Sequence, residues 1–248
     1  MAQNKYDDDE FFQAYSGLPR SVHGLDGAAE WPRLRSLLPR LDGARVLDLG
    51  CGFGWFCRWA RTQGAAHVVG VDVSTNMLER ARRDTDDPAI RYEQADLEQV
   101  TLPVDSFDLV YSSLTLHYLA DLDRIIGQMA AAAVPGGAVV CSVEHPIYSA
   151  PSQPGWLDVE GRRVWPLDRY SRRGPRVTDW LAPGVVKYHR NIGDHVATFL
   201  DAGLQLTALV EWSPDDAELA AHPGWEEELD SPMFLLLAAT RAAPSRRT

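Results

Sequence analysis

Lysine is nearly missing. Lys5 and Lys187 are the only two in 248 residues. A P-loop nucleotide site needs Gly-Lys-Ser/Thr after its glycines, and no lysine stands near the glycine-rich stretch of this chain. A nicotinamide oxidoreductase of the short-chain type would want a Tyr-x-x-x-Lys pair. Pro183 stands four residues before Lys187, and Lys5 lies too near the start, so the pair is absent. Basic arms and patches are lacking as well. With a formal net charge of −11, DNA and RNA are poor partners. Cysteine is scarce: Cys51, Cys57 and Cys141 are odd in number and show no CxxC spacing. They read as free thiols of a reducing compartment, with no metal site. No apolar run approaches the ~18 residues of a membrane span. The longest candidate, "MFLLLAAT", has the length of a buried strand. The start, "MAQNKYDDDE", is acidic and lacks the apolar core of a signal peptide. The expectation is a soluble cytoplasmic protein.

The composition, 45% hydrophobic and 24% charged, suits one large domain whose core needs no disulfide staples. From residue 45 onward, short apolar β-branched runs alternate with helical patterns, which predicts an α/β fold with a parallel sheet. Strands are expected at 45–49, 67–71, 90–94, 107–112, 138–144, 204–210 and 233–240. The helices are expected at 53–63, after Ser74 (with Met77, Leu78 and Ala81 on one face), from Asp121 to the Pro-Gly-Gly at 135–137, and at 192–202. Residues 1–44 read as a partly helical cover and 45–145 as the core. Residues 146–190 are rich in Pro, Gly, Trp, Tyr and Arg without periodicity. Connections in α/β units usually run ~2–6 residues, so this insertion is expected to be a lid or substrate cap. A C-terminal helix and strands follow at 191–248. The acidic runs "DDDE" and "EEELD" read as solvated surface, and "VVKYHR" as a solvated helix start.

In open parallel sheets the ligand lies beyond the carboxyl ends of the strands. Here those ends carry the glycine loop of "VLDLGCGFG", then Asp72, Asp96, Ser112 with Ser113, and Glu144 with His145. A dinucleotide fold needs GxGxxG; counting from Gly50 and Gly52, the third position is the bulky Trp55. Asp48 would also repel a pyrophosphate. A cationic ligand end reverses that objection, because Asp48 then attracts an ammonium group directly or through a water. Asp72, 22 residues after Gly50, suits a carboxylate accepting both ribose hydroxyls. Asp96 could accept from an exocyclic amine. Together these describe a phosphate-free ribonucleoside bearing an amino acid, and S-adenosylmethionine fits.

"VLDLGCGFG" resembles the glycine motif of class I S-adenosylmethionine-dependent methyltransferases. "VVGVDVS", "YEQADLE" and "FDLVYSSLTLHYL" resemble their second to fourth motifs in order and spacing, and "VPGGAVVCSVEHP" their fifth-strand segment. "HGLDGAAEWPRL", "SVEHPIYSAP" and "VVKYHR" more loosely resemble a bacterial small-molecule group related to quinone-methylating enzymes. The resemblance implies a Rossmann-like, doubly wound, mostly parallel sheet with an antiparallel last strand. It places the methionine moiety on Asp48, Gly50 and Gly52 and the ribose on Asp72. The adenine would lie by Asp96, Leu97, Val73 and Met77, with Ser112 also at the site. Tyr15 and Arg20, from an N-terminal cover, would lie near the methionine carboxylate.

The sequence-based function is transfer of the methyl group to an O, N or C nucleophile of a small molecule, leaving S-adenosylhomocysteine. The candidate bases are His117 and His145, whose unperturbed pKa of ~6.5 suits proton removal. Pro146 restricts His145 to an extended backbone that could aim its ring at the crevice. Glu144 could orient an amine. A non-catalytic protein holding the same cofactor fits these residues too, as monomer or homodimer.

Overall fold

The computed structural model describes residues 3–243. Three short helices come first: α1 (Asp9–Ser16), α2 (Pro19–Val22) and α3 (Trp31–Ser36). The alternating part begins with β1 (Arg45–Leu49), α4 (Trp55–Thr62), β2 (His67–Asp72), α5 (Thr75–Arg83) and β3 (Ile90–Gln94). Then come β4 (Phe107–Ser113), α6 (Leu122–Ala132), β5 (Ala133–Glu144) and the short α7 (Pro146–Ser149). Two hairpins follow, β6 (Leu157–Val159) with β7 (Arg162–Val164) and β8 (Gly174–Thr178) with β9 (Val185–His189). The chain closes with α8 (Ile192–Asp201), β10 (Leu204–Glu211), α9 (Asp216–Ala221) and β11 (Phe234–Arg241).

Seven strands form one sheet in the order β10-β11-β5-β4-β1-β2-β3. The strands from β3 to β5 pair in parallel, and β11 runs antiparallel to both β5 and β10. This is the Rossmann-like arrangement expected. Strands buried on both faces need apolar residues at successive positions, and here alternate residues serve opposite layers. Val46, Leu109, Val140 and Leu236 face one layer with α3 and α4. Leu47, Val110, Val139 and Leu237 face the other, with α6 and Phe199 of α8. The order of winding reverses between β1 and β4, which opens a crevice at their carboxyl ends.

Two helix ends differ from expectation. α4 starts at Trp55 because Gly54 precedes it in the left-handed conformation, at φ 72°. α6 stops at Ala132, short of the Pro-Gly-Gly. Pro135 disfavours helical backbone at Val134, and the freed carbonyls of Ala131 and Ala132 accept from the Asp105 and Ser106 N–H groups. β5 therefore begins earlier than expected. The insertion is also more ordered than its sequence suggests, since it holds both hairpins. "VVKYH" is strand β9, with Val185, Lys187 and His189 buried, which corrects the reading of a solvated helix start.

Candidate active site

The crevice opens into a cavity of about 520 Å³, bounded by the glycine loop, the ends of β4 and β5, the N-terminal segment and the insertion. Gly50 and Cys51 each donate a backbone N–H to the Val71 carbonyl, at 2.7 and 3.0 Å, which pins the loop to β2. Gly50 sits at φ 77°, and a Cβ there would collide with Thr115. Gly52 sits at φ 51°, yet a Cβ there would meet nothing within 4 Å. Its bare face therefore borders the cavity, where the main chain can approach a ligand closely.

Asp72, at the end of β2, is buried. Its Oδ2 accepts the Gly52 N–H and its Oδ1 the Ser74 N–H, both at 2.9 Å. Burial raises its pKa, opposed by these backbone hydrogen bonds. A carboxylate offers about four lone-pair directions, so it keeps capacity for ligand hydroxyls. Val73, Met77 and Leu97 supply apolar wall beside it. Asp48 lies deeper, against a second, smaller cavity behind the loop that also borders Tyr15, Arg20, Gly50 and Gly52. Burial pushes its carboxyl up to about 7, against the lowering effect of the Cys57 thiol, which donates to Oδ2 at 3.3 Å.

The N-terminal segment closes one side. Asp7 accepts from Ser74 Oγ at 2.6 Å and from the Asn76 N–H at 3.1 Å, so it caps α5 from outside. Gln3 exchanges hydrogen bonds with the Gly184 carbonyl and the Val186 N–H. Between them Tyr6 stacks edge-on against Tyr15 and Tyr118. Tyr15 also packs against Trp180 of the insertion, at 6.3 Å between ring centres. Arg20 lines both cavities and is held by Glu30 at 2.9 Å.

The far side carries the remaining polar groups. Glu144 Oε1 lies 2.6 Å from Lys187 Nζ, with both side chains nearly enclosed. The Glu144 N–H donates to His117 Nδ1 at 3.3 Å, so the neutral ring carries its proton on Nε2. Burial, reinforced by Lys187, His195, Arg20 and Arg190, holds His117 far below the usual histidine range. Glu228 and Trp225 face the same cavity. Burial raises Glu228 to about 7, offset in part by the Met233 N–H, which it accepts.

Ten of the sequence-derived candidates meet at this cavity: Tyr15, Arg20, Gly50, Gly52, Asp72, Val73, Met77, Leu97, His117 and Glu144. Four do not line it. Asp48 borders the smaller space. Asp96 turns its Oδ1 to the Glu98 N–H at 2.9 Å. Ser112 is fully buried, and its hydroxyl donates to the Leu49 carbonyl; the neighbouring Ser113 reaches the cavity instead. His145 is the main correction. Its backbone is extended, as Pro146 requires, but its ring points away from the crevice. Nδ1 accepts the Ile147 N–H, and Nε2 lies 3.0 Å from Glu211 Oε1. Lys187 and Glu228 were not expected there. The sequence carried no signal for Lys187, because two of the three buried positions in "VVKYH" are polar.

A doubly wound sheet with a carboxylate at the end of β2 and a bare glycine loop defines a nucleoside-binding α/β enzyme. A Cβ at Gly52 would meet nothing within 4 Å, so the loop leaves room for a ligand there, and Asp48 and Asp72 suit a cationic, phosphate-free nucleoside. The family model described as "Methyltransferase domain" matches residues 47–141. An S-adenosylmethionine-dependent methyltransferase from Mesorhizobium loti, solved by crystallography, is 55% identical. The match covers 88% of this chain and all of that one, with a TM-score of 0.85. A candidate S-adenosylmethionine-dependent methyltransferase from Listeria monocytogenes is 37% identical over 86% of this chain and 97% of that chain, with a TM-score of 0.78. The malonyl-[acyl-carrier protein] O-methyltransferase of Pectobacterium atrosepticum is 36% identical over 107 residues, which are 43% of this chain and 41% of that protein. The chain thus spans less than half the length of this relative. It belongs to the class I S-adenosylmethionine-dependent methyltransferases, and its cofactor is S-adenosylmethionine. Among the described residues, no helix is long and apolar enough to cross a membrane.

Proposed function

We propose that the protein methylates a small-molecule acceptor held in the aromatic-walled half of the cavity. The carrying observation is the continuity of one space from Gly52 and Asp72 to the Glu144–Lys187 pair and Trp180. When bound, S-adenosylmethionine supplies an electrophilic methyl group: a lone pair of the acceptor forms the new bond as the methyl–sulfur bond breaks and its electron pair stays on sulfur. The residues need mainly to align the acceptor and exclude water. Asp72 would hold the ribose, and Val73, Met77 and Leu97 the adenine side. Tyr15 and Arg20 would close over the methionine end, and Asp48 would reach its ammonium through the smaller space.

A volume of about 520 Å³ falls within the ~300–1,000 Å³ typical of small-molecule sites. The N-terminal segment and the insertion roof it, which favours a compact acceptor over a macromolecule. Calorimetry with S-adenosylhomocysteine and with NAD tests the cofactor assignment. Transfer of labelled methyl from S-adenosylmethionine into a fractionated metabolite extract tests the acceptor. Saturable NAD binding with none of the homocysteine compound overturns the reading, as does label that enters only protein.

A further inference from the structure

The far wall of the cavity is unusual in what it offers a ligand. Lys187 Nζ gives one of its three N–H groups to Glu144 Oε1. The Trp180 ring, 5.0 Å away, flanks the ammonium. His117 presents Nε2–H, because its Nδ1 is occupied by the Glu144 N–H. Glu144 accepts Lys187 through Oε1, and among the described residues no group donates to Oε2. Two donors and one acceptor, borne by β5, β9 and the turn Leu116–Tyr118, converge on one cavity.

This pattern complements a hydroxyl group, which donates once and accepts more than once. We propose that the methyl acceptor is a phenol or an enol, bound with its oxygen against Lys187 Nζ and His117 Nε2 and its proton directed to Glu144 Oε2. The proposal rests on the reading that the aromatic half of the cavity holds the acceptor. The flat ring is taken by the walls of Tyr6, Tyr118, Tyr148 and Trp180. The hydroxyl O–H bond breaks and its proton goes to the Glu144 carboxylate, leaving an oxyanion. Lys187, relieved of its carboxylate partner, then faces that oxyanion. The site starts with one positive and one negative charge and ends with one of each, so no net charge is created in an enclosed space. The oxyanion keeps a lone pair free for the methyl group.

Other nucleophiles fit less well. An amine has a single lone pair, and two donors aimed at it would compete with the methyl group. An ammonium would lie beside Lys187. A carboxylate meets an ammonium already neutralised by Glu144, with the Glu228 carboxyl on the same cavity. In this assignment His117 is a hydrogen-bond donor to the reacting oxygen. The general base is Glu144.

Three probes of nearly the same shape separate these cases: para-nitrophenol, para-nitroaniline and para-nitrobenzoate. Each is titrated at neutral pH into the full-length protein saturated with S-adenosylhomocysteine. The phenol should bind about tenfold or more tightly than the other two, and its yellow anion band should grow on binding. Lys187→Met and His117→Ala should each abolish that growth. His117→Gln should restore it in part, since an amide can accept the Glu144 N–H and still donate. The wild-type titration decides alone if a variant fails to fold. Phenol bound without the anion band, equal binding of all three probes, or preference for the benzoate or the aniline overturns the proposal. Loss of S-adenosylhomocysteine binding would instead strike the earlier reading, so the two failures are distinct.

Discussion

Replacing Asp48 by asparagine should make the protein more stable at pH 8 while weakening its grip on the cofactor. Asp48 is 2% exposed and touches the Cys57 thiol. Burial, and more weakly the Asp72 charge, raise its carboxyl from 3.8 to about 7. A folded-state value above the unfolded one means that the folded protein holds this proton more tightly. The associated stability is present below about pH 4 and is lost as pH rises through about 7. That displacement corresponds to about 4 kcal/mol. The asparagine variant does not titrate there. Urea unfolding of the cofactor-free protein at pH 5 and pH 8 gives the difference between variant and wild type at each pH. That difference should shift toward the variant at pH 8 by roughly 2–3 kcal/mol, the part of the displacement that lies between pH 5 and about 7. The same residue explains why such a cost is retained. A ligand ammonium favours the ionised carboxylate, so wild-type affinity should fall as pH drops below about 7, with proton release on binding detectable by calorimetry in buffers of different ionisation enthalpy. A variant-to-wild-type difference that is the same at both pH values would refute the reasoning.

Asp72→Ala removes the acceptor for the Gly52 and Ser74 N–H groups and should weaken S-adenosylhomocysteine binding by more than about tenfold, or ~1.4 kcal/mol; unchanged affinity would show that the ribose lies elsewhere. Gly52→Ala places a methyl group where nothing stands within 4 Å. The fold should lose only the ~1–2 kcal/mol of a left-handed alanine, seen in a modestly lower melting temperature, while cofactor affinity drops sharply. His145→Ala should do the opposite. It orphans the Ile147 N–H and the Glu211 contact, at about 1–3 kcal/mol measured by urea unfolding, and should leave S-adenosylhomocysteine affinity unchanged.

Apart from β5, which begins five residues early, the strands of the central sheet were legible almost to the residue because local chemistry fixes them. β1 and β3 have the expected bounds, and β2 and β4 each run one residue further. A parallel strand buried on both faces is an uninterrupted apolar run, and the glycines after β1 and the acid that ends β2 also border the cavity. The hairpins of the insertion obey no such rule. In β6 and β7 every residue is exposed, so neither face leaves an apolar imprint. β9 does alternate, but its inward positions include Lys187 and His189, and a polar residue at a buried position hides the very pattern that announces a strand. Glu228 was hidden differently. It stands in the acidic run after Trp225, where Glu226 and Asp230 are exposed as a charge run should be, yet it turns to the Met233 N–H and the cavity.

This contrast explains why the cofactor could be read and the acceptor could not. Asp48, Gly50, Gly52 and Asp72 lie on two adjacent strands and their loops, where the spacing along the chain is already the spacing in space. Lys187 stands 43 residues from Glu144 in sequence, and only the folding of the insertion back over the sheet pairs them. The same argument applies to His117 and His145. Both follow strand ends, and both neutral rings accept a backbone N–H at Nδ1. What separates them is the partner left for Nε2, the cavity for His117 and Glu211 on β10 for His145. Residues that follow neighbouring strands are therefore not interchangeable candidates for one role: each ring is aimed by contacts from elements far away in the chain, and the hydrogen bond already made by one nitrogen decides what the other can do.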